Sequence, residues 1–152
     1  MRRIMSACLC VSLMLCLSAC GADKNFVISP FSSDVTFTMG DVSVKGTLNF
    51  ETKDNLTFTV NEPDYISGVN FSRNEVSVDD IKTSYGKVSD YSPIRALLDV
   101  IADVSQRELT IPLIGEFTYS GETSSAGYKI IFDCENEKIT SIEAGKYTYN
   151  FE

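Results

Sequence analysis

From residue 34 onward the apolar residues recur at every second position. Val35, Phe37 and Met39 share one face of the first run, Val42, Val44, Leu48 and Phe50 one face of the second, and Leu56, Phe58 and Val60 one face of the third. Alternation of β-branched and aromatic residues with polar ones predicts half-buried strands. Turn chemistry at Met39-Gly40-Asp41 and Lys53-Asp54-Asn55 joins them into an antiparallel meander. The run from Asp64 to Ile81 reads as two shorter strands joined around Arg73-Asn74. After residue 115 the alternation returns in four more runs: GEFTYSGE, GYKIIFD, KITSIEA and KYTYNF.

One stretch breaks the period of two. In SPIRALLDVIADV, Ile94, Leu97, Leu98, Ile101 and Val104 recur at helical spacing, with Ser92 placed as N-cap and Pro93 at the first helical position. Strands, one helix and strands again predict an α+β domain. Its strongly curved antiparallel sheet, an open half-barrel of about eight to ten strands, carries the one main helix on its concave face.

The amino terminus follows neither period. Arg2 and Arg3 precede fourteen mostly apolar, uncharged residues, from Ile4 to Leu17, and the small residues Ser18 and Ala19 lead into Cys20. Fourteen residues are too few for a helix to cross a hydrocarbon core of about 30 Å, so the segment reads as a signal peptide. The ending Leu17-Ser18-Ala19-Cys20 resembles the lipobox of bacterial lipoproteins. That resemblance implies cleavage before Cys20 and a diacylglycerol on its sulfur, which anchors the chain at the extracytoplasmic side of the cell membrane. The reading divides the chain into a signal peptide, 1–19, a lipidated cysteine and linker, 20–32, and a domain, 33–152.

Composition narrows the function. Without Arg2 and Arg3 the remaining chain keeps 11 basic and 21 acidic side chains, a net charge of −10, and it offers no basic cluster for nucleic acid. Cys8, Cys10 and Cys16 leave with the signal, so Cys134 stands alone in the domain and no internal disulfide can form. The chain contains no histidine to serve as a base for Cys134.

Three groups have the residue types of a reaction or metal centre. Ser84-Tyr85-Gly86-Lys87 matches S-x-x-K, but it sits at the end of a strand and no K-T-G follows. Asp133, Glu135 and Glu137 alternate in a hairpin that lacks the glycine and terminal glutamate of a calcium loop. Asp79-Asp80 has no identified partner. The sequence therefore predicts no catalytic residue, cofactor or metal.

The meander, the Pro63, Ile66, Ser67 and Gly68 pattern between strands, the Ser92-Pro93 helix start and the closing hairpins resemble small lipoproteins of the LolA/LolB-like superfamily. The resemblance covers about residues 33–152. It implies a half-barrel whose concave apolar face holds acyl chains. On this chain that face is expected to comprise Phe37, Met39, Phe50, Phe58 and Phe132, covered by Leu97, Leu98 and Ile101. Two readings stay open: a membrane-tethered binder of a lipid or other apolar ligand, and an interaction lipoprotein with a filled core that binds another envelope protein.

Overall fold

The computed structural model describes residues 23–78, 81–84, 92–124 and 126–152. Cys20 with the whole signal segment, the Asp79-Asp80 pair and residues 85–91 lie outside them, as do the side chains of Met39 and residues 82–84.

The meander forms as its alternation predicts. Strands β2 (Phe31–Met39), β3 (Val42–Thr52) and β4 (Asn55–Glu62) pair antiparallel in sequence order. Gly40, with φ of +63°, makes the first turn. Gly46 interrupts the apolar face of β3 because the Phe58 ring lies across it: a Cβ there would clash with Phe58 Cζ and the Thr59 carbonyl oxygen. Beyond β4 come β5 (Asn70–Ser72), β6 (Glu75–Val78) and β7 (Ile81–Ser84), with Arg73 and Asn74 in the predicted turn between β5 and β6.

Strands β8 (Leu109–Pro112), β9 (Glu116–Glu122), β10 (Gly127–Asp133), β11 (Lys138–Ala144) and β12 (Tyr147–Phe151) complete the chain. β12 pairs with β2, which joins the two halves into one antiparallel sheet of ten strands, ordered β7-β6-β5-β4-β3-β2-β12-β11-β10-β9.

From Asp23 onward the predicted linker, 20–32, is part of the fold. Residues 23–26 form β1 (Asp23–Phe26), which pairs with β8 in a separate two-stranded sheet, and β2 already begins at Phe31. Phe26 enters the core edge-on to Phe132, with ring centroids 5.6 Å apart.

The sheet departs from the expected half-barrel. It is open, with β7 and β9 as its edges, and it is neither closed nor strongly curled. Curling requires bulges or glycine kinks repeated across the strands. The described pairings slip register at only three places, two between β3 and β4 and one between β10 and β11.

Helix α1 (Pro93–Val104) starts at Pro93 as expected, although Ser92 makes no side-chain cap bond. It is buried more completely than a one-sided helix. Val100 and Ala102 join Leu97, Leu98, Ile101 and Val104 at no more than 1% exposure. Two tyrosines from the sheet hold it lengthwise. Tyr149 Oη donates to the Pro93 carbonyl oxygen at 2.6 Å, and Tyr128 Oη donates to Asp103 Oδ2 at 2.5 Å. Among the described residues no helix is long and apolar enough to cross a membrane.

Candidate functional site

The residues expected to face a ligand lie inside the core. Phe58, Leu97, Leu98 and Ile101 have no exposed surface, Phe37 and Phe132 retain 1%, and Phe50 retains 5%. Their rings touch one another and the sheet: Phe37 lies 6.0 Å from Phe58 and 5.2 Å from Tyr149, centroid to centroid. None of the seven borders the two clefts described next.

The larger cleft, about 440 Å³, opens between the chain from Phe26 to Ser33 and the turn joining β10 to β11. Its floor is apolar, built from Phe26, Ile28, Phe31, Ile139 and Phe151, and its rim carries the carboxylates of Asp133, Glu137 and Glu152 beside Lys138. Buried Phe26 and Ile28 fix one wall, while half-buried Phe31, Ile139 and Phe151 offer apolar surface to an occupant. The sequence reading missed this cleft because it took residues 20–32 as a linker. The available signal was the recurrence of Phe26, Ile28 and Phe31 within six residues.

The rim is shaped by local bonds. Asp133 Oδ1 accepts the backbone N–H groups of Glu135 and Asn136, at 3.0 and 3.2 Å, and Oδ2 accepts Asn136 Nδ2 at 2.7 Å. The Asn136 side chain and these N–H groups hold the Asp133 carboxyl below the usual carboxylate range. Lys24 on β1 reaches across to Glu137 Oε1 at 2.6 Å and to the Cys134 carbonyl at 3.2 Å. These contacts close the β10–β11 turn on itself and pin it to β1, so its carboxylates serve the hairpin. Among the described residues no group of three or more acidic, histidine or cysteine side chains is arranged to hold a metal ion.

The smaller cleft, about 280 Å³, is polar and lies over the outer face of α1, between Arg73 and the β9–β10 turn. Asp99, 8% exposed, receives Arg73 Nε at 3.1 Å and faces Arg95 Nε at 3.6 Å. One turn on, Arg107 makes a two-pronged bond to Asp103, with Nε to Oδ2 at 3.0 Å and Nη2 to Oδ1 at 2.9 Å. That bond, with the Tyr128 hydroxyl, holds the Asp103 carboxyl low, while burial and the Asp103 bond push the Tyr128 phenol up. Asp99 and Asp103 are thus matched by arginines, and the Arg73–Asp99 pair fastens the helix to the turn between β5 and β6.

Cys134, with no exposed surface, points into the core, and burial pushes its thiol up, away from the thiolate that nucleophilic chemistry needs. Compared with protein-family models, with curated proteins and with solved structures, the chain matches none.

Proposed function

We propose that this chain is a non-enzymatic, lipid-anchored protein of the cell envelope, held at the extracytoplasmic face through Cys20, whose domain works by binding another envelope protein. The observation that carries the choice is the filled core. The seven described side chains nominated for a lipid cavity are at most 5% exposed and border neither of the clefts described above, whereas an acyl-chain site needs several hundred Å³ of apolar space. On this reading, kinship with LolA/LolB-like lipoproteins lies in the order of elements and the anchor, and the lipid cavity is absent.

The larger cleft supplies the chemistry of recognition. The apolar floor suits an aliphatic or aromatic side chain of the partner. Glu137 is paired with Lys24, Asp133 with its own turn and Glu152 with Lys45, so the preference for a basic partner comes from the excess of acidic side chains over the whole domain. A photo-crosslinking residue at Asn136, on the rim, is expected to trap one envelope protein in membranes of the producing cell, and Glu152→Lys to weaken that product. Native mass spectrometry of the 21–152 fragment, prepared without detergent, supplies the opposing outcome. One lipid carried per chain, with no crosslinked protein, would restore the apolar-ligand reading.

A further inference from the structure

The β1–β8 pair sets the start of the described fold beside an exposed apolar turn. Asp23 pairs with Pro112, and the chain then runs through Leu113, 47% exposed, and Ile114, 74% exposed, before Gly115 turns it at φ +91° into β9. Single apolar residues in water are ordinary. Here two are adjacent, uncharged at every position through Gly115, and located by pairing next to the residue where the tether enters.

The length of the tether fixes what this turn faces. Three peptide steps separate Cys20 from Asp23, and at about 3.3–3.6 Å each they reach at most about 11 Å. Antiparallel Cα partners lie about 4.5–5.5 Å apart, so Pro112 stands within roughly 16 Å of the Cys20 Cα. A headgroup layer is about 5–7 Å deep on each side of the hydrocarbon. An acylated Cys20 sits at that layer, which leaves the Leu113-Ile114 turn within reach of it.

We infer that Leu113 and Ile114 form a second membrane contact, entering the headgroup–acyl boundary of the bilayer beside the lipid on Cys20. This inference rests on the lipid-anchor reading proposed above. One anchored residue leaves a domain free to roll, and a second contact stops the roll. Phe26, the end of β1 that walls the larger cleft, lies three residues or about 10 Å farther along the strand. The β10–β11 rim of that cleft adjoins the turn, because the Cys134 N–H donates to the Gly115 carbonyl oxygen at 2.9 Å and Asp133 pairs with Glu116, so the cleft opens beside the bilayer surface with Phe26 on its far side. Exposed Asp23 and Glu116 flank the turn, so the contact favours a zwitterionic surface over an anionic one.

The test uses the full chain, produced with its own amino-terminal segment, purified from membranes, weighed by mass spectrometry and reconstituted into phosphatidylcholine vesicles. Glu116→Cys and, as a reference in the turn between β4 and β5, Tyr65→Cys each carry an environment-sensitive fluorophore. Cys134 is buried and a lipid consumes Cys20, so the label goes to the introduced thiol. Quenching by lipids bearing nitroxides in the acyl chain is expected to be severalfold stronger at 116 than at 65. L113S/I114S in the Glu116→Cys chain is expected to bring it down to the level at 65. Both replaced side chains are exposed, and an unchanged near-UV circular dichroism spectrum verifies the fold. A lipid on Cys20 with equal quenching at the two sites, or with quenching indifferent to L113S/I114S, overturns the membrane contact and leaves the anchor standing. A mass without lipid on Cys20 overturns the anchor and the contact together.

Discussion

Leu97→Ala separates a filled core from a hollow one. Leu97 has no exposed surface and lies on the face of α1 that was expected to cover a ligand. The change removes three carbons, which at about 0.8 kcal/mol each accounts for about 2.4 kcal/mol of lost burial. A cavity term adds to it, because the helix cannot sink into the vacancy. Tyr149 holds its first residue and Tyr128 its last turn, at 2.6 and 2.5 Å. Large-to-small core changes of this kind cost about 2–5 kcal/mol, and a helix pinned at both ends belongs in the middle of that range, at about 3–4 kcal/mol. With a urea dependence of about 1.5 kcal/mol per molar, the midpoint should fall by roughly 2 M with an unchanged slope. Equilibrium urea unfolding followed by circular dichroism measures it. A loss below about 1 kcal/mol would mean that Leu97 already bordered empty space, and the filled-core argument, with the function built on it, would fail.

Three further outcomes follow from the same packing. Gly46→Ala should cost about 2 kcal/mol or more, because the new Cβ meets the Thr59 carbonyl oxygen, which cannot swing aside, as well as the Phe58 ring; urea unfolding reads this too. Burial raises the phenols of Tyr149 and Tyr128, the latter also through its bond to Asp103. Their contribution is therefore complete below the unfolded tyrosine value of about 10 and is lost as pH rises beyond it. The urea midpoint should fall on the alkaline side, and replacing both residues by phenylalanine should flatten that fall. The thiol of Cys134 should react with an aromatic disulfide reagent only as fast as the domain opens, so the labelling rate should rise steeply near the urea midpoint.

What the sequence revealed depended on how many apolar residues each element carries. β2, β3 and β4 each repeat three or more apolar residues at period two, and α1 repeats five at helical spacing behind a proline; these elements were legible. β1 contains one apolar residue, Phe26, and β7 one, Ile81. No period can be read from a single residue, and these strands are defined by their partners in space. β8 does alternate, Leu109 and Ile111 inward, but it is four residues long and ends in Pro112. The candidate site shows the same limit. Alternation identified Phe37, Phe58 and Phe132 as inward-facing, which is where they lie. A period states which face is covered and carries no information about volume. Val100, Ala102, Leu109 and Ile111, outside that alternation, belong to the same buried cluster.

The early start of the fold changes what a tethered domain can do. A flexible linker of about 12 residues would give a root-mean-square reach of roughly 20 Å and average the domain over every orientation. With β1 starting at Asp23, three peptide steps remain after Cys20. At that length the side of the domain next to the anchor is chosen by the fold, through the pairing of Asp23 with Pro112. With a lipid on Cys20, as proposed above, a partner engaging the larger cleft meets it at a nearly fixed height above the bilayer, within about one domain diameter. For a binding protein of modest affinity that restriction acts as concentration: a partner confined to the same membrane layer encounters the cleft far more often than one free in the surrounding volume. The excess of acidic side chains on the domain then favours basic neighbours. The partner expected on these grounds is a membrane-associated protein with a basic segment close to the bilayer.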